Sequence, residues 1–327
     1  MNGRHWAAAA VAVALAAGSL AAQEHVDRRL ATGAAGVVDV SNVSGSVHVV
    51  GWNRNEVQVT GQLGRGVERL DLAEEGGRVV VRVVLPRWSM HTEDSEIEVR
   101  VPWGKDVEVH TVSADASVSG VTGRAGVQSV SGEVRIEGRP REVMASTKSG
   151  DLMVSAQTER VKAESVSGGV TVAGAVRGLA DVSSVSGDVS LAATAGEAHV
   201  STVSGEIRVE AVSGRAEVNT VSGDVSLVGH RIQADVRTVS GDVRIEGDLD
   251  PAGSSQVNTH SGDVTLTVAR GTGAQVEFNT FSGDVSGDVP GGMRMSGSSR
   301  AQHLEVGRGG ARVMVHTFSG DLQIQGA

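Results

Sequence analysis

Cysteine and tyrosine are absent from this chain, and phenylalanine occurs only three times. The first absence excludes disulfides, thiolate metal sites and thiol nucleophiles together. With aromatics at 2 %, a large ring-packed globular core is excluded as well. The core of such a chain is instead a narrow stack of aliphatic side chains. Long apolar runs are also missing, apart from one at the N-terminus.

That run, Trp6 to Leu20, follows Arg4 and His5 and precedes small residues and Gln23-Glu24. The order is that of a secretory signal peptide, with cleavage expected after Ala22 and Ala21 as the alternative. It is shorter than the ~20 apolar residues of a spanning helix. No transmembrane segment is expected after cleavage. The formal charge is −10, and removing residues 1–22, whose one formal charge is Arg4, gives −10 − 1 = −11. An acidic balance argues against nucleic acid and anionic membrane surfaces as partners.

What the chain has in abundance is a repeat with a period of about 18 residues, short enough for a solenoid coil. Ser-Gly-Asp or a close variant returns at Ser131, Ser149, Ser167, Ser186, Ser204, Ser222, Ser240, Ser261, Ser282 and Ser319, with Ser44 and Ser113 as looser members. Four residues before each serine the side chain is apolar (Val127, Val200, Val236), and two before it is always Ser or Thr (Ser129, Thr202, Thr238). Three and five residues after it come apolar pairs such as Val134 and Ile136 or Val243 and Ile245, and the positions between are mostly polar. Period-two alternation on both sides of a glycine turn predicts two half-buried strands per repeat.

Two strands and two turns in so short a repeat leave no room for a crossover helix. The fold expected is an all-β, single-chain β-solenoid, with strands of successive coils about 4.8 Å apart. The alternative is an antiparallel meander closed into a sandwich or barrel. The Ser/Thr column is expected to point inward near a corner and to bond backbone or the hydroxyl one coil away. The turn acid is expected to accept hydrogen bonds from turn amides.

Three segments follow: 1–22, the signal peptide; 23–105, an irregular β cap with early coils; and 106–327, the repeat solenoid. Glu74-Glu75-Gly76-Gly77 reads as a hairpin turn before Arg78–Leu85. Arg87–Asp94 and residues 286–300 read as exposed loops. Since 322–324 looks like an ordinary repeat at the chain end, the final cap is expected to be small or supplied by a partner.

Gly51-Trp52-Asn53-Arg54, Val101-Pro102-Trp103-Gly104 and the serial Val-Ser-Gly-Asp-Val units carry a family resemblance. The chain resembles bacterial β-strand-repeat proteins of unknown function, commonly labelled putative adhesins. The likeness covers most of the mature sequence and implies a binding role in the periplasm or at the cell surface. It brings no catalytic residues.

Four constellations are candidates for function. The turn acids, among them Asp188, Asp224, Asp242, Asp263 and Asp284, form a column of like charges that would suit calcium, although the calcium β-roll pattern needs two more glycines per unit. The column just before the serine, including Val203, Val221, Val239, Phe281 and Phe318, points outward under strict alternation and would give an apolar binding stripe. A corner twist would instead tuck it inward; Lys148 and His260 show that it is not deeply buried throughout. A stacked hydroxyl ladder would suit ice, but its Thr members are assigned inward. Enzymatic chemistry on acidic polysaccharides would need a singular cluster, and His110, His199, His260 and His316 are scattered over distant repeats without metal-ligand spacing. The expectation is an exported, non-enzymatic structural or binding module of the cell envelope without a cofactor, contacting an envelope protein or glycan. A calcium-stabilised secreted rod and a polysaccharide-active enzyme are the alternatives.

Overall fold

The computed structural model describes residues 24–87, 93–269, 273–289, 293–298, 300–307 and 310–326. The expected signal peptide and most of the expected loop 87–94 lie outside them. Every helix or strand element among the described residues is a β-strand, 26 in all.

Alternation decides the strands. Leu152–Thr158 is buried at every second residue, as Leu152, Val154, Ala156 and Thr158 turn in. Each fully buried Val or Leu contributes about 1.5–3 kcal/mol, and the exposed alternates need no partner. Pairing is parallel and in register with the repeat: Val143 sits between Ala125 and Val161, one repeat away on either side. The second arm does the same, with Leu152 between Val134 and Val170. Both arms feed one continuous hydrophobic cluster. An antiparallel meander therefore does not form in the repeat region. Parallel strands usually read as unbroken apolar runs because helices cover them; here the outer faces meet solvent, so they alternate.

The corner between the arms is tight. Gly223 has φ of +150°, and a Cβ there would lie 2.0 Å from the Gly205 oxygen one coil below. Backbone takes the space that a side chain would need.

At the N-terminal end the chain departs from sequence order. Val37–Trp52 pairs on one side with Asp106–Ser119 and on the other with Arg78–Val84 and Ser95–Pro102. The coil formed by the latter two is thus outermost, and antiparallel strands Arg69–Glu75 and Glu56–Leu63 cover it, with Glu24–Ala31 beside the second. The hairpin at Glu74–Gly77 forms as expected, with φ of +58° at Gly76 and +81° at Gly77. Lys105, 1 % exposed, ties this end together: its Nζ donates to the Ala35 carbonyl at 2.9 Å. Burial holds its pKa below the usual lysine value.

The C-terminal end breaks order too. Ala311–Ser319 pairs with Ser254–Ser261 on one side and Ala274–Ser282 on the other. Leu322–Gly326 likewise lies between Val264–Val268 and Val285–Asp288. The last repeat in sequence is inserted between its two predecessors. The terminal coil is 274–288, covered by the antiparallel pair Ala301–Val306 and Met293–Ser298. Two expectations are corrected here. Residues 286–300 contribute strands where a loop was expected, and the cap is an internal hairpin that the chain makes before doubling back. Repeats that share one register fit any slot, so position in the chain does not fix position in the stack.

Candidate binding ridge

The column before each turn serine faces solvent. Val203 and Val221 are 49 % exposed and Val239 is 50 % exposed, with Phe281 at 58 % and Phe318 at 50 %. No corner twist tucks them in. The inward Thr at the preceding position (Thr202, Thr220, Thr238) is buried, so strict alternation holds up to the turn. Of the 15 large hydrophobic side chains that are exposed among the described residues, ten lie on this one column, which rules out a random scatter. With the adjacent exposed serines, the column makes a ridge in which a line of methyl groups and a line of hydroxyl groups run side by side along the corner.

At the C-terminal end the ridge turns aromatic. His260 stacks on Phe318 with ring centres 4.9 Å apart, and Phe318 on Phe281 at 5.0 Å and 2°. The Arg300 guanidinium lies 5.0 Å from the Phe281 ring centre. The stacking distance is the spacing of paired strands, so ring faces point along the column and are consumed by neighbours. This ladder is a clamp across three coils that come from residues 260, 318 and 281.

The acidic column serves the turns. The Glu206 amide donates to Asp188 Oδ1 at 2.9 Å, Asp242 to Asp224 Oδ1 at 2.9 Å, Asp263 to Asp242 Oδ1 at 2.9 Å, and Asp321 to Asp263 Oδ1 at 2.8 Å. The Asp284 amide closes the series on Asp321 Oδ1 at 2.9 Å. One oxygen of Asp188, Asp224, Asp242 and Asp263 is therefore committed to the next coil. Glu206, Asp224, Asp242, Asp263 and Asp321 edge a groove of about 560 Å³ in which Arg208 and Arg244 supply compensating charge.

The buried hydroxyl column meets the expectation at one end and departs from it elsewhere. Thr111 Oγ1 donates to Ser129 Oγ at 3.0 Å, and Ser129 Oγ to the Ser131 carbonyl at 3.1 Å. Thr220, Thr238, Thr259 and Thr317 have no hydrogen-bond partner for Oγ1 among the described residues. Side chains repeated at about 4.8 Å cannot close the ~2.8 Å that an O–H···O bond needs unless their rotamers differ.

One cluster escapes sequence reading. Asp39, Glu108 and His110 bring ligand atoms within 4.8 Å of one another. The Arg78 guanidinium already bridges the two carboxylates, at 3.1 Å to Asp39 and 2.5 Å to Glu108. The hydrogen bond to Glu108 raises the Arg78 pKa further. A cation thus occupies the site, and it belongs to this chain. Three strands far apart in sequence supply these groups, so no spacing signals them. On the same two strands His48 bonds Ser117 at 2.7 Å, and elsewhere His230 bonds Asp248 at 3.1 Å. No helix among the described residues is long and apolar enough to cross a membrane.

The sequence pattern of the Toastrack DUF4097 family matches residues 38–246 and, a second time, 182–325. No curated protein sequence matches the chain at a significant level. Among solved structures, it is similar to a putative adhesin from Bacteroides fragilis, at 10 % identity over 92 % of this chain and 97 % of that one, with a TM-score of 0.35. It is also similar to a putative lipid binding protein from Parabacteroides distasonis, at 14 % identity over 74 % and 94 %, with a TM-score of 0.38. A putative adhesin from Parabacteroides distasonis is similar at 8 % identity over 92 % and 97 %, with a TM-score of 0.33.

Proposed function

We propose that this chain, which belongs to the Toastrack DUF4097 family, is an exported β-solenoid rod that works as a non-enzymatic binding module of the cell envelope. The carrying observation is that its chemistry-bearing side chains run in ladders, one per coil, and that the exposed apolar groups gather on a single ridge. Ladders offer many equivalent weak contacts to an extended partner, whereas catalysis needs a few unlike groups converging on one reacting atom. The ridge meets apolar surface, and the polar strand faces meet an envelope protein or glycan. The committed Asp oxygens support turn chemistry over a calcium ladder. The mature protein should sediment saturably with purified envelope fragments, release no reducing ends from acidic polysaccharides, and melt at the same temperature in calcium and in chelator. Polysaccharide cleavage, or failure to bind any envelope fraction, contradicts this reading.

A further inference from the structure

The ridge has a partner whose chemistry is written in its own spacing. It steps at the coil spacing of about 4.8 Å for about 50 Å. Only another stack of in-register strands carries side chains at the same pitch, so that valines can seat between valines along the whole length. The exposed apolar area, several hundred Å² with its serine margin, approaches the ~800 Å² per partner of a standard interface. We propose that the ridge docks a second copy of this chain, antiparallel, with the two-fold axis at Val203. The inference rests on the binding-module reading and names the partner of its apolar surface.

Charge selects this register. The ridge has two polar interruptions, Lys148 and His260, both exposed. Counted coil by coil along the pairings, Lys148 lies three coils before Val203 and His260 three coils after. A two-fold at Val203 therefore sets Lys148 of one copy against His260 of the other, an ammonium donor facing an imidazole acceptor. The next outward column, two residues before the ridge, is uncharged apart from its imidazoles, Glu164 and Arg237. These lie two coils before and two coils after Ser201, so the same axis sets Glu164 against Arg237 twice. Each already has a neighbour on its own strand, Lys162 for Glu164 and Asp235 for Arg237, and each side chain remains about half exposed. Parallel rods would instead put Lys148 on Lys148, a like-charge contact, and would carry Glu164 and Arg237 of the two copies to opposite sides of the ridge, so neither opposite-charge pair would form. Placing the same column of both copies on one side also brings the acidic columns nearer to each other, so salt should strengthen the dimer.

The absence of cysteine makes the register directly readable. Sedimentation equilibrium of the mature chain should show a dimer, and Val203→Arg should weaken it at least tenfold with an unchanged circular dichroism melt. Under mild oxidation V203C alone should cross-link, K148C alone should not, and K148C mixed with H260C should. Glu164→Arg should weaken association, and adding Arg237→Glu to the same chain should restore it. A chain that stays monomeric, or a K148C that cross-links to itself as parallel rods require, overturns the proposal. A monomer that still binds envelope fragments overturns the pairing alone. A dimer without envelope binding supports the pairing and overturns the broader reading.

Discussion

The interior of the stack and its C-terminal end are built from the same repeat, yet they hold it differently. Between residues 124 and 249 each coil rests on the coil before it in sequence, as Arg215 on Glu197 and Gln233 on Arg215. Beyond residue 254 the order is broken: the coil of Ala311–Ser319 and Leu322–Gly326 enters between two earlier coils, and a hairpin closes the end. The interior is held by local succession, so any one coil is dispensable. The end is held by a single long-range insertion, and loop closure across it is costlier.

Deleting one coil from each region separates the two modes of support. Removing 215–232 joins Gly214 to Gln233, which already occupies the register of Arg215. That variant should melt cooperatively near the parent temperature. Removing 311–326 takes Val313, Val315, Leu322 and Ile324 out of the core, about 6–12 kcal/mol of burial, and bares the strands on both sides. The expected result is proteolysis confined to residues beyond 250, read by mass spectrometry.

Glycines sharpen the same contrast at single residues. Gly223→Val must push a Cβ into the Gly205 oxygen at positive φ and should cost about 3 kcal/mol or more in urea melts. Gly126→Ala, whose Cβ would sit 3.5 Å from the nearest atom, should stay within about 0.5 kcal/mol. At the end region, Phe318→Ala removes two ring stacks and should cost about 1–3 kcal/mol, with earlier release of the inserted coil in hydrogen exchange.

Smaller effects test the interior. Thr220→Val replaces a buried hydroxyl that has no partner and should be neutral or stabilising by up to about 1 kcal/mol. A clear loss would mean that the hydroxyl is satisfied by bound water. Acid should act weakly. The Gln233 side chain and the Ala252 amide hold Asp250 below its ordinary pKa, and Asn219, helped by His199 and Arg237, does so for Glu217. For a carboxylate depressed in the fold, stability is complete above the unfolded pKa and is lost as pH falls through the folded one. Melting temperature should therefore hold down to about pH 5 and decline below pH 4.

Much of the architecture was legible because stacking in register demands the same kind of residue once per coil. The Val127, Ser129 and Val134 columns gave the faces, whereas alternation offered the outward position of Val203 only beside an inward twist at the corner, which local sequence does not decide. The inserted coil was not legible, because Val315, Thr317 and Ser319 satisfy the same columns wherever they stack. A trace existed in the doubled interval from Ser282 to Ser319, within which Met293–Ser298 and Ala301–Val306 lack the Thr-x-Ser-Gly pattern. Lys105 burial and the Arg78 bridge depend on contacts between segments distant in sequence, which no local pattern encodes.

The order of coils carries the ridge from Val239 through His260 and Phe318 to Phe281. Disulfide trapping in the cysteine-free chain tests it most directly. Ser261 and Ser319 are register partners on adjacent strands, about 4.8 Å apart and within disulfide reach, whereas Ser261 and Ser282 are separated by the inserted strand. S261C/S319C should oxidise readily to an intramolecular bond, and S261C/S282C should stay reduced. The reverse pattern would mean that the repeats stack in sequence order and that the ridge is assembled differently.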